Sequence, residues 1–180
     1  MKGVVFTEFL DMVEKRHGAD FVDDIIEDSH LSSGGSYTAV GTYPHTEMVS
    51  LIHALAARNQ CAVPVLMLDF GHHLFGRFHA NYPTFFDNVH CALDFMEGIE
   101  NIIHAEVRKL YPDAELPKFE VEYRDSKQLR LLYDSHRHFE DLAEGLILGC
   151  IDHFGVPHQL QRENDVSGPQ GKTRFILTRL

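Results

Sequence analysis

The apolar positions of this chain recur at helical spacing over its first two thirds and alternate over its last third. In residues 2–17, Val5, Phe6, Phe9, Leu10 and Val13 fall three or four apart, and Gly18 supplies a stop. Asp20 is a candidate cap for a second short helix running to Ile26, and Ser32–Ser36, with Gly34 and Gly35 adjacent, reads as a loop. Thr46 precedes a helix carrying Leu51, Ile52, Leu55 and Ala56. Another helix is expected from about Val63 to Phe78, weakened by Gly71 and Gly76. Pro83 opens a turn, and one long helix is predicted from Asn88 to Leu110, with Met96, Ile99, Ile103, Val107 and Leu110 as a single apolar stripe.

Beyond Pro112 the period changes to two. Phe119, Val121 and Tyr123 alternate, as do Leu129, Leu131 and Tyr133, and Asp125-Ser126 between them predicts an antiparallel pair. A helix over Phe139–Phe154 keeps Leu142, Leu146, Cys150 and Phe154 in register, and Gly155 and Pro157 end it. Two further strands are expected at His158–Arg162 and Thr173–Leu180. The fold class is therefore α+β: a helical N-terminal part, then a four-stranded antiparallel sheet with a helix laid across it.

Composition narrows the function classes. The 180 residues suit a single domain, with 44% hydrophobic residues, 24% charged residues and 13 Phe. A formal net charge of −11 argues against nucleic acid, because phosphate binding needs a basic stripe. The longest apolar stretch, Ala62 to Leu68, is broken by Pro64 and falls far short of the ~18 residues of a membrane span. No secretory signal precedes the first helix. Cys61, Cys91 and Cys150 are odd in number, widely spaced and set among apolar residues, so buried reduced thiols and a cytoplasmic location are expected.

The 13 histidines raise the question of a metal. His72 and His73 are adjacent on a helix and point about 100° apart, so they do not share one ion, and no H-E-x-x-H occurs. No G-x-S-x-G and no phosphate-binding glycine pattern is present. Two other features carry more chemistry. Tyr133, Ser135 and Arg137 alternate along an extended segment, which aligns two hydroxyls and a guanidinium on one side, a set suited to carboxylates. The same three residues also fit an ordinary strand surface. His104, mid-helix at the margin of the apolar stripe, is either a satisfied boundary histidine or a ligand to a metal in an apolar cleft.

Taken together, the opening Met1-Lys2-Gly3 with its apolar helix, the helical His104, Pro117 and the Tyr-x-Ser-x-Arg run at Tyr133, Ser135 and Arg137 resemble the haem-nitric oxide/oxygen-binding (H-NOX) family, bacterial stand-alone type, over essentially the whole chain. That resemblance implies one H-NOX domain, with a helical subdomain over residues 1–60 and a haem-binding subdomain over 61–180. It implies a ferrous haem b held without covalent bonds, with His104 as iron ligand, Tyr133, Ser135 and Arg137 on the propionates, and Pro117 pressed on the porphyrin. The absence of C-x-x-C-H agrees. By the same register Val5, Phe9, Leu74, Phe78, Leu142 and Leu146 line the distal side. Leu142 falls where oxygen-binding members carry a hydrogen-bonding Tyr.

An all-apolar distal side withholds the donor that bound dioxygen needs, so the resemblance implies a sensor of nitric oxide, and more weakly of carbon monoxide. In this family nitric oxide weakens the bond between the iron and its histidine, which would release His104. No kinase or cyclase module lies within the 180 residues, so the expected output is a separate protein, a histidine kinase or a diguanylate cyclase, and not catalysis by this chain. The rival readings are an oxygen-binding or redox haem protein and a His-rich metal-dependent hydrolase. Ser32–Pro44 and Glu163–Lys172 have no assigned role.

Overall fold

In a computed structural model the described residues are 1–165 and 172–180, so the unassigned stretch Glu163–Lys172 lies largely outside them. Four helices come first: α1 (Gly3–His17), α2 (Ala19–Ser29), α3 (His45–Asn59) and α4 (Val63–Asn81). A single 3₁₀ turn (Pro83–Phe86) leads to α5 (Ala92–Glu97), a π turn (Ile99–Ile103) and α6 (His104–Leu110). Then come β1 (Lys118–Arg124), β2 (Gln128–Asp134), α7 (Glu140–Phe154), β3 (His158–Asp165) and β4 (Lys172–Arg179). The strands form one antiparallel sheet in the order β1-β2-β4-β3. The α+β architecture agrees with the apolar periods.

The expected single helix over Asn88–Leu110 is corrected by the structure. Asn88 adopts a left-handed φ of 63°, and Cys91 is extended and starts α5 only at Ala92. After Gly98 the chain makes a wide turn in which the Gly98 carbonyl accepts from the amides of both Ile102 (2.8 Å) and Ile103 (3.4 Å). The strand-like ridge expected at Tyr133, Ser135 and Arg137 is also corrected. β2 ends at Asp134, and residues 135–138 form a turn in which the Ser135 hydroxyl accepts from the Arg137 amide at 3.3 Å.

Two apolar clusters share α4 and α7. One joins Phe6, Phe9, Met12, Ile25, Met48 and Leu51 to Phe70, Leu74 and Leu142, so the cluster of the N-terminal helices extends beyond residue 60. The other joins Leu129, Leu131, Phe175 and Leu177 of the sheet to Phe75, Leu93, Met96, Ile147 and Cys150. At the crossing of α4 and α7 the backbones nearly touch. A Cβ on Gly71 would stand 2.3 Å from the Leu142 carbonyl oxygen, and one on Gly145 would stand 2.0 Å from that of Leu68. Both approaches require glycine.

Two buried carboxylates tie the N-terminal helices together. Glu8 on α1 accepts from Arg77 Nε at 2.5 Å and Asn81 at 3.1 Å, which fixes α1 to α4. Glu47 on α3 accepts from the Ser32 hydroxyl, the Ser33 amide and hydroxyl, and the Tyr37 hydroxyl. Ser32–Pro44 thus acquires a structural role: its first half wraps onto α3 around one carboxylate. Burial alone would raise the pKa of Glu47, but these four hydrogen bonds outweigh it and hold the group at about 2. Glu47→Ala is expected to cost about 1.5–3 kcal/mol, the worth of hydrogen bonds to a charged group. The native contribution is complete above the ordinary pKa of 4.5 and is lost as pH falls from there toward about 2, so chemical denaturation of wild type and mutant should converge in that window.

Candidate functional site

A cavity of about 290 Å³ lies between the N-terminal helices and the sheet half. One wall is apolar and comes from Val5 on α1, Leu74 and Phe78 on α4, and Leu142 and Leu146 on α7. The facing wall is the stripe Met96, Ile99, Ile103, Val107 and Leu110, which stays on one side despite the π turn, with His104 beside it. Phe75, Phe86 and Phe95 close one end, the last two stacked at 4.6 Å. Pro117, Tyr133, Ser135 and Arg137 line the cavity as well. The structure therefore brings together all but one of the residues anticipated from sequence. Phe9 is the exception: fully buried and edge-on to Phe70 at 5.1 Å, it is not among the lining residues. Its helix is one turn past Val5, which carries the ring into the N-terminal core instead.

His104 has a buried ring whose Nδ1 lies 3.0 Å from Glu100 Oε2, one helical turn earlier. Glu100 also accepts from Arg108 at 2.7 Å and from the Phe119 amide at 3.4 Å. Burial lowers the pKa of His104, against the raising pull of Glu100, and so favours the neutral ring. A carboxylate that accepts from Nδ1–H fixes the tautomer and leaves the lone pair on Nε2. Burial tends to raise Glu100, but its hydrogen bonds prevail and it stays ionised to do this. Glu100 escaped the sequence reading, although its i, i+4 spacing to His104 was visible.

The polar end of the cavity centres on Arg137, whose side chain is only 9% exposed. One terminal nitrogen, Nη2, donates to Glu115 Oε2 at 2.9 Å, and that ion pair lowers the pKa of Glu115. Its Nε is buried and has no partner among the described residues. Tyr133 is 4% exposed, and burial raises its pKa, partly offset by Ser135. Glu115 reaches this face from the segment between α6 and β1. A buried guanidinium with a free N–H, two hydroxyls, a neutral imidazole and an apolar slot form the donor set that a flat apolar dicarboxylate with a metal centre requires.

The sequence profile of the Haem-NO-binding family matches residues 2–162. The chain belongs to this family. H-NOX domains are haem-based gas sensors, and the cavity described above has the chemistry that haem needs. The structure is similar to the Fe(II) unliganded H-NOX protein of K. algicida, 37% identical, with 100% of this chain and 97% of that chain covered at a TM-score of 0.92. It is also similar to the S. oneidensis H-NOX protein in the Fe(II)NO state (26% identity, 100% of each chain, TM-score 0.87). A third is the IWP-051-bound S. woodyi H-NOX in the Fe(II)CO state (34% identity, 100% of this chain and 95% of that chain, TM-score 0.85). No curated protein matches.

Among the described residues no three His, Cys, Asp or Glu side chains converge as a metal-binding group. No single helix among them is long and apolar enough to cross a membrane. The three thiols differ more than expected: Cys150 lines the cavity and is buried, whereas Cys61 and Cys91 are half-exposed. Burial pushes the Cys150 pKa far up, which suppresses the reactive thiolate. Iodoacetamide applied to the native protein at pH 8 should therefore alkylate Cys61 while Cys150 stays unmodified until denaturant is added, as read by peptide mass spectrometry. Equal native labelling of Cys150 would show that this wall of the cavity opens to solvent.

Proposed function

We infer that this H-NOX domain is a nitric oxide sensor built on a non-covalent haem b. The observation that carries the haem part is the pairing, across one apolar cavity, of a largely buried histidine aimed by Glu100 with a guanidinium whose buried Nε has no partner among the described residues. In this reading His104 holds the iron through Nε2, Glu100 aims and polarises the ring, and Tyr133, Ser135 and Arg137 hold the propionates. Pro117 bears on the macrocycle, and Val5, Leu74, Phe78, Leu142 and Leu146 form the distal wall. When bound, the group would supply a ferrous iron with a coordination position open to a diatomic gas.

Gas choice then rests on what the protein's own residues offer that position. Leu142 and its neighbours on α1, α4 and α7 donate no hydrogen bond, which favours nitric oxide, and carbon monoxide more weakly, over dioxygen. The release of His104 would be eased by its position directly after the π turn, where the helix has already departed from regular geometry. Such a departure is a natural place for a two-state element. The signal would pass to a separate protein in the cytoplasm, a histidine kinase or a diguanylate cyclase, a partner class supported by the family resemblance.

One lining residue favours a second reading. Tyr82 also faces the cavity, stacked on Phe85 at 5.7 Å, and its hydroxyl has no hydrogen-bond partner among the described residues. A phenol able to reach a bound gas would convert the pocket into an oxygen binder.

Optical spectra of the ferrous protein separate the two. Nitric oxide should shift the Soret band, while brief exposure to air should leave it unchanged. Leu142→Tyr should introduce an oxygen-dependent shift, at a stability cost of about 1–3 kcal/mol for overpacking the α4–α7 side of the cavity. If air shifts the wild-type spectrum and Tyr82→Phe abolishes that shift, the oxygen reading replaces this one.

A further inference from the structure

Arg137 is pulled in two directions. Its fork carries five N–H donors, and a carboxylate bound side-on uses Nε together with one terminal nitrogen. Glu115 takes only the Nη2 donor, at 2.9 Å, while Nε is buried and has no partner among the described residues, on a side chain that lines the cavity. The two partners are also unlike in setting. The Arg137 side chain is 9% exposed and that of Glu115 is 73% exposed, so one is fixed in the wall and the other is free to swing into water.

The backbone under Glu115 is not free to follow such a swing. Two residues earlier, Asp113 accepts from the Thr42 hydroxyl at 2.8 Å and pairs with Lys2 at 3.4 Å, which ties this linker to the N-terminal half. Any exchange at Arg137 is therefore confined to the Glu115 side chain.

Building on the haem reading, we propose that Glu115 is an internal competitor of the haem carboxylates: it holds Arg137 through Nη2 and surrenders the fork to a propionate that arrives from the cavity and satisfies Nε. Two carboxylates crowded on one guanidinium repel each other. The one with access to water leaves at lower cost, because a solvated carboxylate gives up little when it loses an exposed ion pair. Glu115 thereby acts as a positioning residue. By holding Nη2 against the incoming carboxylate it sets how tightly the cofactor edge is held, without itself touching the iron side of the site.

The test is a thermodynamic cycle on haem loss from the reconstituted protein to an excess of a haem-scavenging protein. Glu115→Gln keeps size and polarity, removes the competing charge, and should slow haem loss by about two- to five-fold, the scale of an exposed ion pair. In an Arg137→Ala background, or in Arg137→Gln should the alanine variant fold poorly, the same change should have no effect. Asp113→Asn, which removes a carboxylate from the same linker but not from Arg137, should also leave the rate unchanged. In the haem-free protein, nitrogen-15 spectra should show the Arg137 side-chain signal moving with Glu115→Gln and remaining in place with Asp113→Asn.

Three results overturn the proposal: faster or unaltered haem loss in Glu115→Gln, an equal gain without Arg137, or an equal gain from Asp113→Asn. The last two would mark a general charge effect. A wild-type protein that takes up no haem would instead remove the reading on which the proposal rests, and the two failures are thus distinguishable.

Discussion

The near contact of two helix backbones governs this structure. Gly71 and Gly145 let α4 and α7 approach until each glycine sits against a carbonyl of the other helix, closer than any side chain permits. Because α4 and α7 each feed both apolar clusters, that crossing fastens the N-terminal helices to the sheet half along one line. Packing at full interior density along the line leaves the remaining space on one side, and there the cavity lies. Its apolar wall is the cavity-facing side of the same helix pair: Leu74 and Phe78 from one, Leu142 and Leu146 from the other.

Electrostatics then gives the cavity its direction. The buried carboxylates of the N-terminal half are satisfied locally, Glu8 by the Arg77 cation and the Asn81 amide, Glu47 by a ring of hydroxyls and a backbone amide. At the cavity two groups are arranged differently. His104 is aimed by Glu100 while burial favours its neutral form, and Arg137 keeps one buried N–H without a partner among the described residues. A buried donor without an acceptor is costly, and its persistence marks a place where a ligand supplies the acceptor. An imidazole nitrogen at one point of an apolar slot and a guanidinium at its rim, paired with Glu115 on one side only, define both a centre and an edge, which is the asymmetry of haem.

Much of this was legible from residue pattern, because the elements that build the cavity are amphipathic and their periods are clean. The departures share a physical cause. One extra residue in the π turn leaves the stripe from Met96 to Leu110 on a single side, so periodicity alone reads Asn88–Leu110 as continuous, and the extended conformation at Cys91 leaves no trace in hydrophobicity. The alternation at Tyr133, Ser135 and Arg137 pointed to three residues that line one cavity, but for an incomplete reason: Tyr133 ends a strand and a turn, not a strand face, brings Ser135 and Arg137 beside it. Phe9 and Val5 share a helix face but not a depth along it, and depth is set by how α1 is fastened to α4. Glu115 was invisible because it reaches Arg137 across 22 positions, and no local pattern announces a contact of that span.

The central claim is that His104 alone holds the cofactor's iron from the protein side, and its removal is the most direct measurement. His104→Gly should express and fold, since the lost ring faces a cavity, yet bind haem only when imidazole is supplied to take its place. The five-coordinate ferrous spectrum should then return in proportion to imidazole occupancy. A His104→Gly protein that keeps an unaltered ferrous spectrum without imidazole would contradict the account, placing the iron on another histidine and detaching the cavity geometry described here from the gas-sensing function.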